Sequence, residues 1–187
     1  MKKPANTHRN ISENIKNRWS PRAFDGKPVE EGKLLSILEA GRWAASAFNE
    51  QPWRFAVGKK GDEKYNKILV SLIEWNQQWA GKAPVLILNL TKKTFTRNGK
   101  PNATALYDLG QAVAGVAIEA VNQGLVSHQM SGFDAEKART SLGIPDDFQA
   151  VSVMALGYYG VAEELSEDMQ QMEISARERK AGEDLLF

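Results

Sequence analysis

With 187 residues, 42% of them hydrophobic and 25% charged, the chain is sized for one globular domain with a substantial core, not two. Its 24 Lys and Arg against 23 Asp and Glu leave a formal net charge of +1, too weak a field to hold nucleic acid by bulk electrostatics; any anion site must gather a few basic residues locally. The absence of cysteine excludes disulfides, thiolate metal sites, iron–sulfur clusters and thiol nucleophiles, and His8 and His128 lack metal-ligand spacing.

The first residues, Met1 to Asn14, are polar and lack the apolar stretch of a signal peptide, and no apolar run is long enough to cross a bilayer; a cytoplasmic protein without membrane contact is expected. Ser12 through Asn17 reads as the end of a short helix, which Ser20-Pro21 breaks. A clearer helix spans about Val29 to Trp43, with Leu34, Leu35, Ile37, Leu38 and Gly41 along one side. Ala44 to Pro52 is a small, polar loop leading into a strand, Trp53 to Val57. Gly58 to Asp62 makes a turn, and Glu63 to Trp79 is predicted as one helix. Pro84 to Leu90 is the strongest strand, apolar enough to be buried on both faces. Thr91 to Asn102 is a basic, solvated excursion.

Thr104 to Gln123 is a long helix with few charges, whose Gly110, Ala112, Ala114 and Gly115 supply small faces suited to central burial or to close packing on a second subunit. Gly124 suits its C-terminal cap. Leu125 to Met130 is strand-like, Asp134 caps a helix that stops at Gly143, and Ala150 to Leu156 is a final core strand. Beyond Val161 the chain turns acidic and then basic, ending in Leu185-Leu186-Phe187. Helices and strands alternate irregularly, and no Gly-x-Gly-x-x-Gly follows any strand, so a doubly wound nucleotide fold is not supported. An α+β sandwich is expected, with helices on the faces of a sheet.

Four segments could carry chemistry. In Arg18-Trp19-Ser20-Pro21-Arg22, an extended backbone would set Arg18, Ser20 and Arg22 on one face, a donor-rich pocket for a phosphate or polyol; a plain basic turn is the simpler alternative. In Ala45-Ser46-Ala47-Phe48-Asn49-Glu50-Gln51-Pro52-Trp53, small residues admit a planar ligand to the backbone, and Asn49 and Gln51 offer donors and acceptors; a polar connection anchored by Trp53 is the alternative. In Gln129-Met130-Ser131-Gly132-Phe133-Asp134, a glycine after a strand lets a backbone N–H face a ligand. Arg177-Glu178-Arg179-Lys180 could clamp a phosphate or be a solvated helix end.

In this order and spacing, Arg-x-Ser-x-Arg, Ser-x-x-Asn-x-Gln-Pro-Trp, Gly-Phe-Asp and Arg-x-Arg resemble the nitroreductase family over roughly Ile15 to Lys180. The resemblance implies a single domain, 1–187, in which helices flank a central mixed or antiparallel sheet as an α-β-α sandwich. It implies FMN at the interface of a homodimer. Arg18, Trp19, Ser20 and Arg22 would border the cofactor, with Arg177 and Arg179 on its phosphate. Ala45, Ser46, Ala47, Asn49 and Gln51 would reach it from the partner subunit. Met130, Ser131 and Gly132 would place a backbone N–H near flavin N5, and Asn76 would contact the ring.

The implied activity is ping-pong transfer from NADH or NADPH to an electron-poor small molecule such as a nitroaromatic or quinone, with the chemistry carried by the cofactor. A flavin-binding module without nicotinamide turnover and a cofactor-free interaction protein stay open beside it. Many members of the family carry Pro-Ser-Ser where Ala45-Ser46-Ala47 stands, and an acidic residue at Ser131.

Overall fold

The computed structural model describes residues 3–186. Four strands form one sheet, β1 (Trp53–Lys59), β2 (Val85–Lys92), β3 (Val126–Met130) and β4 (Phe148–Gly157), ordered β1-β2-β4-β3 with every pairing antiparallel. Alternation along the strands sorts the core into two layers. Leu86, Leu88 and Leu90 of β2 and Val153 and Ala155 of β4 face one side, while Val85, Ile87, Met154 and Leu156 face the other. Helices α3 (Glu63–Leu69), α4 (Glu74–Ala80), α6 (Ala135–Leu142) and α7 (Glu167–Ile174) supply the first layer with Tyr65, Ile68, Trp79, Ala138 and Met169. Helices α2 (Glu31–Arg42) and α5 (Ala105–Asn122) supply the second with Leu34, Ile37, Leu109, Val113 and Val116. The result is the expected α-β-α sandwich. Each fully buried Leu or Ile in these layers contributes about 1.5–3 kcal/mol relative to exposure, which is why the central strand β2 is apolar on both faces.

Element ends follow the predicted signals closely. Asp134 caps α6 by accepting from the Lys137 N–H at 2.9 Å. At the end of α5 the Gly124 N–H donates to the Val121 carbonyl at 3.0 Å and the Leu125 N–H to the Ala120 carbonyl at 2.8 Å, the paired bonds of a Schellman motif. The small residues of α5 serve packing inside the chain, since a Cβ on Gly115 would come within 3.1 Å of the Ala40 carbonyl of α2. The opposite flank, with Leu106, Tyr107 and Gly110, stays exposed or open. Among the described residues no helix is long and apolar enough to cross a membrane.

Several boundaries differ from expectation: β4 starts earlier, at Phe148, and β2 runs on through Lys92, which buries Thr91 and, with Asn102 also buried, shortens the solvated excursion at both ends. The 58–62 turn shrinks because β1 keeps pairing through Lys59 opposite Val85. The single helix expected over 63–79 is broken into α3 and α4. Between them the backbone bonds sideways: Ile73 N–H donates to the Gly132 carbonyl at 3.1 Å, and Asp134 N–H donates to the Ser71 carbonyl at 2.7 Å. Pairing with the segment after β3 replaces the helical ladder there, and that break sets the start of α4 against Gly132.

Candidate functional site

Arg18 leaves α1 (Glu13–Asn17) in an extended conformation, and its Nη1 donates to Ser20 Oγ at 3.3 Å. The two are thus brought together as expected. Arg22 turns elsewhere: its guanidinium carbon lies 6.0 Å from the Trp79 ring centroid, and its buried Nε has no hydrogen-bond partner among the described residues. Between them the Pro21 carbonyl accepts from His128 Nδ1 at 3.0 Å, which requires the proton on that nitrogen. His128 lies on β3 and packs on Trp79 with ring centroids 4.5 Å apart. Burial pushes its pKa down to about 4, with Arg22 and Arg18 acting the same way and the Pro21 carbonyl opposing, so the imidazole is neutral near pH 7. Trp19 is buried and stacks at a tilt on Tyr159, which leaves mainly its backbone for a ligand.

The C-terminal segment closes over these residues. Glu173, 1% exposed on α7, accepts from the Arg22 N–H at 3.0 and 3.1 Å and from the Ala23 N–H at 3.1 Å. Arg177 Nη1 donates to the Lys3 and Lys16 carbonyls at 2.8 and 2.9 Å, and Nη2 to the Arg18 carbonyl at 2.8 Å. Arg18, Ser20, Arg177 and Arg179 line one cleft of about 290 Å³. A larger one of about 680 Å³, lined by Ala5 to His8 together with Arg18 and Arg179, adjoins it. Burial lowers the pKa of Arg18, with Arg179 adding to the effect; burial also lowers that of Arg177, with Arg18 and Arg179 adding. No guanidinium of Arg18, Arg22, Arg177 or Arg179 forms an ion pair with a carboxylate among the described residues. Partly desolvated like charges without a counterion are what an anionic ligand would relieve.

At the end of β3 the Gly132 carbonyl accepts from Asn76 Nδ2 at 3.0 Å as well as from the Ile73 N–H. Its own N–H has no partner among the described residues. A Cβ there would lie 2.7 Å from Ile73 Cδ1 and 2.8 Å from Asn76 Nδ2, so the close approach requires glycine. Ser131 is exposed beside it, while the Met130 side chain is 4% exposed and sits in the core, leaving only its main chain for a ligand. Asn76 and Trp79 share α4, so the helix that meets Gly132 also carries the ring on which His128 and Arg22 pack.

The 45–51 loop lies elsewhere. It precedes β1, the edge strand that lies three strand spacings, about 14 Å, from β3. A short 3₁₀ turn (Ala47–Asn49) occupies it, and Phe48, Asn49 and Gln51 have φ of 55°, 55° and 51°. Polar side chains hold this left-handed backbone. Ser46 Oγ accepts from the Gln51 N–H at 3.0 Å, buried Asp108 accepts from the Ala47 N–H at 3.2 Å, and Gln51 Nε2 donates to the Asn49 carbonyl at 3.2 Å. Ala45 is exposed. Among the described residues no hydrogen bond or ion pair joins this loop to the arginine cluster, so within one chain the predicted site residues fall into two groups.

Sequence reasoning missed Glu173, Trp79, His128 and Asp108. Glu173 left one signal: it stands four residues after Met169, on the buried face of α7, where an acidic side chain needs a partner.

The model for the nitroreductase family matches residues 15–74 and 62–158, which contain the 18–22 segment, the 45–51 loop and Gly132. The chain belongs to the nitroreductase family. As such it is an oxidoreductase. A solved structure of an oxidoreductase containing FMN is 34% identical and superposes with a TM-score of 0.91, covering 97% of this chain and 92% of that one. An uncharacterised 15.4 kDa protein of Mycolicibacterium smegmatis is 34% identical over 145 residues, 72% of this chain and 94% of its own. An NADH dehydrogenase of Thermus thermophilus is 28% identical over 173 residues, 75% of this chain and 82% of its own.

Proposed function

We propose that the chain binds FMN with the surface running from Arg18 to Gly132 and uses it to pass reducing equivalents from NADH or NADPH to an electron-poor small molecule. The observation that carries this is a cleft lined by guanidiniums without a carboxylate partner, linked through α4 to an unpartnered glycine N–H, because an anionic, planar, hydrogen-bonding ligand answers both. The buried, partnerless Nε of Arg22 fits the same ligand. FMN in the similar oxidoreductase structure and the NADH dehydrogenase activity named for the Thermus relative support the cofactor and the reductant.

When bound, FMN supplies the hydride and electron transfer for which this cysteine-free chain has no side chain. Arg18, Ser20 and Arg179 would hold the phosphate and ribityl end; Arg177 acts mainly through the main chain it braces. The Gly132 N–H and the Asn76 amide would orient the ring edge, and the cationic surroundings would stabilise negative charge that develops on it. His128, neutral and bonded to the Pro21 carbonyl, holds the segment in place and carries no proton to the reaction. Ala45, Ser46, Ala47, Asn49 and Gln51 would complete the pocket from a second copy, docked on the exposed flank of α5; their distance from the arginine cluster within one chain favours this dimer. Reductant and acceptor would take turns at one face, the ping-pong order.

The visible spectrum of the purified protein, before and after FMN is added, tests the cofactor; a protein that stays colourless after removal of free FMN overturns the reading. Anaerobic mixing with NADH or NADPH should bleach bound FMN. Bleaching by neither would leave a flavin-binding module. Double-reciprocal plots against a quinone or nitroaromatic should be parallel, and converging lines would exclude ping-pong order.

A further inference from the structure

The C-terminal segment grips the 18–22 segment from both polarities of its backbone. The successive N–H groups of Arg22 and Ala23 converge on the carboxylate of Glu173, which occupies both at 3.0 to 3.1 Å. A ligand phosphate therefore cannot use those two donors. Four residues later Arg177 takes the carbonyl side, with Nη1 on Lys3 and Lys16 and Nη2 on Arg18 at 2.8 to 2.9 Å. Arg18, Ser20 and Arg22 thus hang between two anchors. The partnerless, buried Nε of Arg22 shows that its side chain is held in a form its own chain does not satisfy.

We propose that Glu173 and Arg177 are positioning residues, a clasp that keeps Arg18 and Arg22 in the form that receives an anionic cofactor. This rests on the reading that the segment binds FMN. It separates Arg177 from a simple phosphate contact. A point charge at 177 would serve a phosphate, but here two nitrogens of a planar fork divide the three carbonyls, Nη1 on Lys3 and Lys16 and Nη2 on Arg18, a spread that one ammonium nitrogen does not reproduce.

The test is FMN affinity of the full chain by quenching of flavin fluorescence, with thermal unfolding of each FMN-free variant as the check on folding. A wild-type chain that takes up no FMN overturns the flavin reading and the clasp together. A wild type that binds, beside variants that bind equally well, overturns the clasp alone. Glu173→Ala should weaken FMN binding at least about tenfold, and Glu173→Gln, which keeps one acceptor, should fall between. Arg177→Lys should lose about as much as Arg177→Ala; wild-type affinity in Arg177→Lys would overturn the clasp. In the Glu173→Ala background the effect of Arg22→Ala should shrink to roughly twofold or less, whereas additive losses would make Glu173 a merely structural residue. Should Glu173→Ala not fold, Glu173→Gln carries the same comparison. Hydrogen exchange reads the clasp without FMN: the Arg22 and Ala23 amides should be protected in the wild type and lose protection in Glu173→Ala, with Glu173→Gln between. Unprotected amides in the wild type would overturn it.

Discussion

At the arginine cluster, charged side chains are placed by bonds to and from main chain; in the 45–51 loop, strained main chain is placed by polar side chains. The first region carries its unfavourable energy as partly desolvated, mutually repelling cations. The second carries it as left-handed backbone at Phe48, Asn49 and Gln51, restrained by Ser46, Asp108 and Glu50, whose Oε1 accepts from the Thr96 N–H at 2.8 Å. Left-handed geometry costs a non-glycine residue about 1–2 kcal/mol. The difference teaches where each half can be perturbed. Charge and pH should act on the first half, and backbone substitutions on the second.

The largest expected effect is on pH. Unfolded His128 takes up a proton below about pH 6.5, while the folded group resists protonation until about pH 4. The unfolded state thus binds more protons in that window, so stability falls as the pH is lowered through it, by on the order of 3 kcal/mol in total. Denaturant unfolding of wild type minus His128→Gln, from pH 7 to 4, should show this slope; an identical slope in the variant would refute it.

Next, Arg18→Ala should weaken FMN binding by about 1.5–3 kcal/mol. It should leave the melting temperature of the FMN-free protein unchanged or slightly raised, because a desolvated charge facing Arg179 is removed. A clear drop in that temperature would mean the cluster is not electrostatically strained. In the loop, Asp108→Ala removes the charged acceptor of the part-buried Ala47 N–H and should destabilise by about 1–3 kcal/mol in urea titrations. The smallest effect belongs to Asn49→Gly, which relieves φ of 55° and should change stability by less than about 1 kcal/mol, towards stabilisation. A large loss there would show that the Asn49 side chain, and not its backbone, holds the turn.

Much of the architecture was legible along the chain. The apolar run that opens β2, Val85 to Leu88, the Asp134 and Gly124 caps and the long sparsely charged α5 each follow from local rules about burial, capping and period. The 63–80 stretch was not legible as two helices, because its periodicity continues through the break; the partner that stops the helix is 60 residues away, at Gly132 and Asp134. The same limit hid the clasp. Arg177 reads as one more basic residue near a basic terminus, and nothing near it in sequence shows that its fork is taken by carbonyls at Lys3, Lys16 and Arg18. Phe187 lies outside the described residues, and Leu185 and Leu186 beside it in sequence are exposed.

By itself the sequence determined the layers of this protein, since which side chains leave water depends on patterns a few residues long. It also determined the family, through motifs whose residue types and spacing survive without coordinates. Only the tertiary structure decided how those motifs are used. It joined Asn76 to Gly132 and Glu173 to Arg22, and it set the 45–51 loop at the far edge of the sheet. The physical reason is that hydrogen-bond partners of buried polar groups are chosen by proximity after folding, and proximity across 56 or 151 residues has no local signal.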